Sequence, residues 1–223
     1  MILRLAILPI FFLSFILSAP GQEGEDVEAA VFINAQAIKM HAQQESMNSA
    51  IIQQVGENQQ AITIQEQTGY QPNFFILSQK GYGNSGFIEQ AGTGLNSRVI
   101  QRGNRNETNL WSIGQNINTF SSQVGDGNVI NSYIKDEGIT PRSASLIQEG
   151  NQNRIDLSLM GNGIESHTMD QHVRITQQGN QHEISALMEP FSAPFEITQT
   201  PGANGEGMKV NVSTSQFNFP MRK

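Results

Sequence analysis

Three short motifs in this sequence contain residue types that could bind a nucleotide or a metal ion. Residues 81–86, Gly-Tyr-Gly-Asn-Ser-Gly, match the G-x-G-x-x-G spacing that holds a pyrophosphate where a strand leads into a helix. Residues 125–128, Gly-Asp-Gly-Asn, are similar to the turns of nonapeptide calcium-binding repeats. His167, His172 and His182 could supply imidazole ligands to a metal ion.

The surroundings of each motif argue against that chemistry. Residues 81–86 lie between two strand-like segments and open no helix, and only one turn of the series has the aspartate at 126. Histidines in solvated loops are common without any metal, and the nearby Glu165 and Asp170 have no nucleophile or cleft signal beside them. We therefore predict that the protein is not an enzyme and has no cofactor and no metal site.

The residues with the clearest spacing are glutamines and asparagines. Gln79, Gln101 and Gln123 lie 22 positions apart, and Gln90 lies halfway between the first two. A buried amide without a partner costs about 1–3 kcal/mol, but an amide can donate to one neighbour and accept from another. Stacked amides can therefore hold successive coils of a repeat in register. We predict such amide ladders, which also serve assembly, from Gln54, Gln65, Gln79, Asn84, Gln90, Gln101, Asn106, Gln123, Asn128, Gln148, Asn153 and Gln177.

Glycines follow the same period and indicate where the chain turns. The spacing is 11 between positions 81 and 125, and it widens slightly on either side of this stretch. Small insertions in turns with a constant strand length are typical of solenoids. The predicted turn glycines are Gly56, Gly69, Gly81, Gly92, Gly103, Gly114, Gly125, Gly138, Gly150, Gly161 and Gly179.

A period of 11 residues has a helical and a β interpretation. A helix with this period would form a right-handed supercoil. It would also lose about 1 kcal/mol for each glycine, which disfavours the helix. The segments between the glycines, such as 98–101, 108–112 and 129–134, are rich in β-branched, aromatic, Ser and Thr residues. We therefore predict short strands that alternate with tight turns.

Two strand-turn units make one coil of about 22 residues, and stacked coils make a solenoid. Because strand side chains alternate between faces, Asn84, Ile88 and Gln90 should point one way and Phe87 and Trp111 the other. The predicted fold class is all-β: a two-sheet parallel β-solenoid of strand-turn-strand repeats with about six coils.

The repeat also resembles a known family. Ser or Asn begins a strand, Gln ends it, Gly follows two positions later, Asn follows the turn and Gln closes the next strand, as in residues 79–90 and 101–112. This pattern resembles the curlin repeat of curli, the secreted functional amyloid of bacterial biofilms, over residues 48–188. The departures are the asparagine at 96, which is shifted by one position, and Ser112 and Ile134, which replace ladder glutamines.

The resemblance implies a secreted structural subunit of a curli-like extracellular amyloid fibre, assembled by head-to-tail stacking and serving the biofilm matrix and cell adhesion. The implied partners are further copies or other curlin-type subunits, together with a secretion channel and accessory proteins. Two alternatives stay open: a minor subunit that nucleates fibres at the cell surface, and a soluble, capped adhesin or carbohydrate-binding module. The first repeats keep the regular pattern, with Gln54 and Gln65 in their usual positions, as expected for an end that can polymerise. Pro190 and Pro194 follow the last repeat, as expected for a capped end.

Composition and charge limit other functions. The 223 residues contain no cysteine and carry a formal net charge of −7, with Lys and Arg scattered. These features argue against a nucleic-acid partner and against a disulfide framework. Gln and Asn make up about a fifth of the chain, a bias that is typical of amyloid-forming sequences.

The ends of the chain differ from the repeats. Residues 1–21 are predicted to be a signal peptide, with Arg4, an apolar run over 5–17 and small residues before a cleavage site after Gly21. The apolar run is too short to span a membrane, so no transmembrane segment is expected in the mature chain. We expect residues 22–47 to be a flexible or capping leader, 48–189 the repeat solenoid, and 190–223 a tail with a capping strand. The expected location is extracellular, reached through the periplasm of a bacterium.

Overall fold

The computed structural model describes residues 47–67, 69–138, 141–160, 171–187, 194–202 and 205–213, and these residues form strands and turns without any helix. Seven strands form the first sheet, sheet A: β1 (Ser49–Glu57), β3 (Phe74–Tyr82), β6 (Asn96–Arg102), β9 (Ile117–Val124), β12 (Arg142–Glu149), β14 (Gln171–Gln178) and β16 (Phe195–Gln199). Seven shorter strands form sheet B: β2 (Gln60–Thr63), β4 (Ser85–Ile88), β7 (Glu107–Asn109), β10 (Val129–Asn131), β13 (Arg154–Asp156), β15 (Glu183–Ala186) and β17 (Lys209–Val212).

Each strand pairs in parallel with the equivalent strand of the next coil. Gln79 on β3 lies opposite Gln54 on β1 and Gln101 on β6, so one coil spans 25 residues and the next spans 22. The coil that joins β12 to β14 spans 29 residues. Strand register is unchanged by these differences in length. The predicted two-sheet parallel β-solenoid of about six coils is therefore confirmed.

The core lies between sheets A and B and follows the alternation of the strands. In β4 and the residues just before and after it, Asn84, Gly86, Ile88 and Gln90 are buried, whereas Phe87 is only half-buried on the outer face. The inward-facing apolar residues of the first coils form one cluster, of Phe75, Leu77, Ile88, Val99 and Leu110. Those of the later coils form a second and larger cluster that includes Ile117, Ile130, Leu146, Ile155, Ile175 and Ile184.

A short third sheet joins the two large ones on one side of the solenoid. It contains β5 (Gln90–Gly92), β8 (Ser112–Gly114) and β11 (Ile134–Asp136), which pair in parallel. Each of these strands begins at a residue with a left-handed backbone, with φ of 79° at Gln90, 79° at Ser112 and 56° at Ile134. The chain therefore turns a corner here on residues other than glycine.

The stack extends past the predicted end of the repeats at residue 189. β16 pairs with β14 in sheet A, and β17 pairs with β15 in sheet B. Strands β16 and β17 thus extend each large sheet by one more strand, although Pro190 and Pro194 precede them. The predicted signal peptide, residues 22–46 of the predicted leader and the end of the tail lie outside the described residues.

Candidate functional site

The main feature of the interior is an unbroken row of seven glutamine side chains, one from each strand of sheet A, which we call the glutamine row. Each Nε2 donates to the Oε1 of the next glutamine, over distances of 2.7, 2.7, 2.9, 3.0, 2.9 and 2.9 Å. A hydrogen bond of this kind adds about 0.5–1.5 kcal/mol to stability. The members are Gln54, Gln79, Gln101, Gln123, Gln148, Gln177 and Gln199.

From Gln79 onward, each amide of the glutamine row also donates to a backbone carbonyl of sheet B. Gln101 is fully buried, and its Nε2 donates both to Gln123 Oε1 and to the backbone oxygen of Ser85, 3.0 Å away. Its own Oε1 accepts from Gln79 at 2.7 Å. Both hydrogens and the oxygen of this buried amide are thus satisfied. The bonds along the row fix the register of the coils, and the bonds to sheet B hold the two sheets together.

Six glycines lie just after the glutamine row and form a second column, the glycine column. Their φ angles lie between 113° and 127°, a region that side chains with a Cβ rarely adopt. At Gly81, a Cβ would collide with the backbone carbonyl of Gly103, and at Gly103 with that of Gly125. The column therefore requires glycine for two independent reasons. Its members are Gly56, Gly81, Gly103, Gly125, Gly150 and Gly179.

A third column, the asparagine row, lies in the turn that joins each strand of sheet A to the next strand of sheet B, which we call the arc. Asn84 Oδ1 accepts the backbone N–H of Asn106 at 3.0 Å, and Asn84 Nδ2 donates to the carbonyl of Gly103 at 2.8 Å. The same two bonds recur in the next coils, and every asparagine of the row is buried. Gln59 occupies the position in the first coil and His182 the position in the sixth, so the row is Gln59, Asn84, Asn106, Asn128, Asn153 and His182.

Two predicted ladder residues, Gln65 and Gln90, form only a short row on the sheet B side. Gln90 Nε2 donates to Gln65 Oε1 at 2.7 Å. The next positions are Ser112, whose buried hydroxyl has no partner in the described structure, and Ile134. After the second coil, this side is therefore held by the backbone pairing of the third sheet and by apolar packing, because the sequence lacks the glutamines that a row would need.

The ten predicted turn glycines within the described residues lie in three kinds of position. Those of the glycine column have left-handed backbones, as described above. Gly92 and Gly114 instead lie in strands β5 and β8, so their assignment as turn residues is corrected. Gly69 and Gly138 lie in bends and have no left-handed φ, and Gly161 lies outside the described residues. The corners on that side are turned by the non-glycine residues that begin the third sheet.

Sequence reasoning missed three members of the rows, namely Gln59, His182 and Gln199. Gln199 was assigned to the tail because prolines at 190 and 194 interrupt the pattern, although it follows Gln177 by the usual 22 positions. Gln59 is a glutamine at an asparagine position, so it is not among the predicted ladder residues. Its Nε2 donates to the carbonyl of Gly81 at 2.8 Å, as an asparagine of the row would. The 22-residue spacing and the five-residue step from Gln54 to Gln59 are the signals that could have found them.

The outer face of sheet B carries aromatic and polar side chains. Phe87, Trp111 and Tyr133 pack edge to face, with ring centroids 5.6 and 6.3 Å apart. Beside them, Asp156 accepts hydrogen bonds from Asn131 at 2.7 Å and from Arg154 at 2.8 Å. Burial raises the pKa of the Asp156 carboxyl, but these two donors outweigh it and hold the pKa below its ordinary value. The charge on this face is thus paired within the molecule.

The histidines of the described residues serve separate structural contacts. His172 Nδ1 lies 2.7 Å from Ser143 Oγ on the outer face of sheet A, whereas His182 is buried in the asparagine row. Across the described ranges, no three His, Asp or Glu residues are grouped closely enough to hold a metal ion. None of the chain that the structure describes forms a helix of the length and apolarity needed to cross a membrane.

Compared with known proteins, the chain matches no protein-family model, no curated protein and no solved structure.

Proposed function

We propose that this chain is a secreted structural subunit of a curli-like extracellular fibre that grows by end-to-end stacking of solenoids. One observation carries the proposal: the glutamine row runs from the first coil to the last without a break, so both end faces carry a member of the same row. Gln54 is exposed at the first coil, and Gln199 ends the row at the last coil. A second copy stacked on the first-coil face would continue the row with the same amide bond, whereas Gln199 Nε2 at the last coil already donates to Met208 O at 2.9 Å.

The edges of the two large sheets support this proposal. Within the described residues, β1 and β2 at one end and β16 and β17 at the other have a hydrogen-bonded partner on one side only. Unpaired strand edges are templates for the addition of another strand. The resemblance of the repeat to the curlin repeat supports the same function. Biofilm adhesion and association with curlin-type subunits are part of the proposal.

End-to-end stacking is tested by incubating the purified secreted chain. We expect a rise in thioflavin fluorescence and fibres that diffract at about 4.8 Å along the fibre axis. Gln54→Lys should slow fibre formation, because lysine can still donate to Gln79 but adds a charge at the joint. A chain that stays monomeric at high concentration with its β-structure intact would contradict the proposal.

Export is the second part of the proposal and rests on the sequence of residues 1–21. Mass spectrometry of protein recovered outside the cell should detect a chain that begins near Gln22. Recovery of the uncleaved chain in the cytosol alone would contradict export.

A further inference from the structure

The asparagine row prepares each coil to receive the next one. In coil after coil, the Asn side chain offers its oxygen to the N–H of the next row member and its amide hydrogens to the next glycine carbonyl. Asn106 shows both bonds, to Asn128 N at 3.1 Å and to Gly125 O at 2.7 Å. The side chain at this position in the last coil should therefore decide how well that coil receives another molecule.

The row changes its chemistry at the sixth coil, where His182 stands. Its Nδ1 accepts the backbone N–H of Met208 at 3.0 Å, so the ring proton lies on Nε2, which donates to Gln178 O at 2.7 Å. In the preceding coil, Glu149 lies at the position equivalent to Gln178. Its backbone carbonyl accepts a hydrogen bond from the backbone N–H of Gly179 at 2.8 Å, and not from a side chain of the asparagine row.

Proline explains why a histidine is needed there. Pro201 follows Gly179 by 22 positions and lies against it, with Cγ 2.7 Å from where a Cβ on Gly179 would be. Because proline has no N–H, it cannot bond the carbonyl of Gln178, and the longer reach of His182 supplies the missing donor. The glycine column thus ends at Gly179, where Pro201 takes the next position and His182 bonds the carbonyl that Pro201 cannot.

The last coil then presents a face that differs from every face inside the molecule. Met208 occupies the position of the asparagine row, as shown by its bonds to His182 and to the N–H of Glu183. A methionine side chain can neither donate to a carbonyl nor accept as an amide oxygen does. The arc before it is also longer, since Gln199 and Met208 lie 9 positions apart while Gln177 and His182 lie 5 apart.

The first coil shows none of these changes. Gln54, Gly56 and Gln59 occupy the glutamine row, the glycine column and the asparagine row with the usual spacing. In a joint built like the internal ones, the Gln59 N–H and the Gly56 carbonyl would face the row side chain of the preceding coil, as Asn106 N and Gly103 O face Asn84.

We infer that the first-coil face is the docking face of this protein, whereas Met208 makes its last-coil face a poor receiver for further copies. The partner that fits the first-coil face is the end of another solenoid with Gln in the glutamine row and Asn in the asparagine row. The inference rests on the proposed stacking function and makes it directional: this chain joins such an end readily and then slows growth beyond itself.

The test compares end faces that differ at one exposed side chain. Met208→Asn restores both the acceptor and the donor, whereas Met208→Leu keeps an apolar side chain of similar size and serves as the control. Fibre fragments of each variant are used as seeds, and the uptake of labelled unmodified chain is measured. One restored hydrogen bond corresponds to a factor of about five, so Met208→Asn seeds should take up the first layer at least about fivefold faster than Met208→Leu seeds.

The outcomes separate the two proposals. Faster uptake on Met208→Asn seeds, followed by a fall to the rate on Met208→Leu seeds once unmodified chains cover the ends, supports the inference. Equal and sustained uptake on both kinds of seed overturns the inference and leaves stacking intact. If no variant, including Met208→Asn, forms fibre fragments while circular dichroism shows β-structure, the stacking function fails and the inference fails with it.

Discussion

Replacing Gly103 with alanine should destabilise the folded chain by more than about 3 kcal/mol, because the new methyl group meets both backbone strain and a fixed atom. The φ of Gly103 is 113°, and the added Cβ would overlap the carbonyl oxygen of Gly125. That oxygen belongs to a backbone held by the asparagine row, since Asn106 donates to it at 2.7 Å. Relief would need a shift of the whole arc, and urea unfolding should show the loss as a lower midpoint.

Gly114→Ala is the matched control, since it lies 11 positions away and was assigned the same turn role from the sequence. Gly114 has no left-handed φ, and the nearest atom to a new Cβ is Cγ of Glu137, at 3.0 Å, in a flexible side chain. We expect a change below about 1 kcal/mol, because the new methyl group meets a movable side chain and the backbone at Gly114 is not left-handed. Equal losses for the two variants would show that the glycine column has no special role.

The period of the sequence was sufficient to predict the coil and the faces of the strands. A spacing of 22 puts Gln79, Gln101 and Gln123 above one another, and a buried amide in a stack is satisfied only by its neighbours above and below. The row and the sheet that carries it therefore follow from spacing and hydrogen-bond chemistry alone. The same logic extends to Gln199, where two prolines hid a spacing that the structure obeys.

The third sheet could not be predicted from the sequence pattern. Its corners place Gln90, Ser112 and Ile134 in left-handed conformations, which glycine and asparagine favour and isoleucine disfavours. Packing of the coil decides the backbone there, against the local preference of the residue. A pattern search assigns such corners to the nearest glycines, here Gly92 and Gly114, which are two positions away in the strands.

His182 shows a second limit of pattern reading. As one residue in the sequence it is a histidine near two others, which suggests a metal ligand. In the structure it replaces an asparagine, because one ring nitrogen accepts from Met208 and the other donates to Gln178. The substitution makes sense only together with Pro201, and the two positions are brought into contact by the stacking of coils.

Replacing Gln101 with leucine should lower the free energy of unfolding by about 2–4 kcal/mol, because it leaves buried polar groups without partners. Gln79 loses the acceptor for one amide hydrogen, and the carbonyl of Ser85 loses the donor that lies 3.0 Å away. Gln123 Oε1 keeps the hydroxyl of Thr108 at 2.9 Å, so the damage concentrates on the side of the earlier coils. Denaturant unfolding measures the total loss, and hydrogen exchange should show it mainly in β3 and β4.

Asn109→Leu is the control on the outer face of the same coil. Asn109 donates to Glu107 and Asn131 at 2.7 and 3.0 Å, but water can replace these partners on the outer face, so we expect a loss below about 1 kcal/mol. Fibre formation should follow the same order, since a broken glutamine row also lowers the stability of the coil stack that the next molecule would extend. If Asn109→Leu were the more damaging change in both measurements, the stack would be held by its outer surface, and the interior amides would have no part in register.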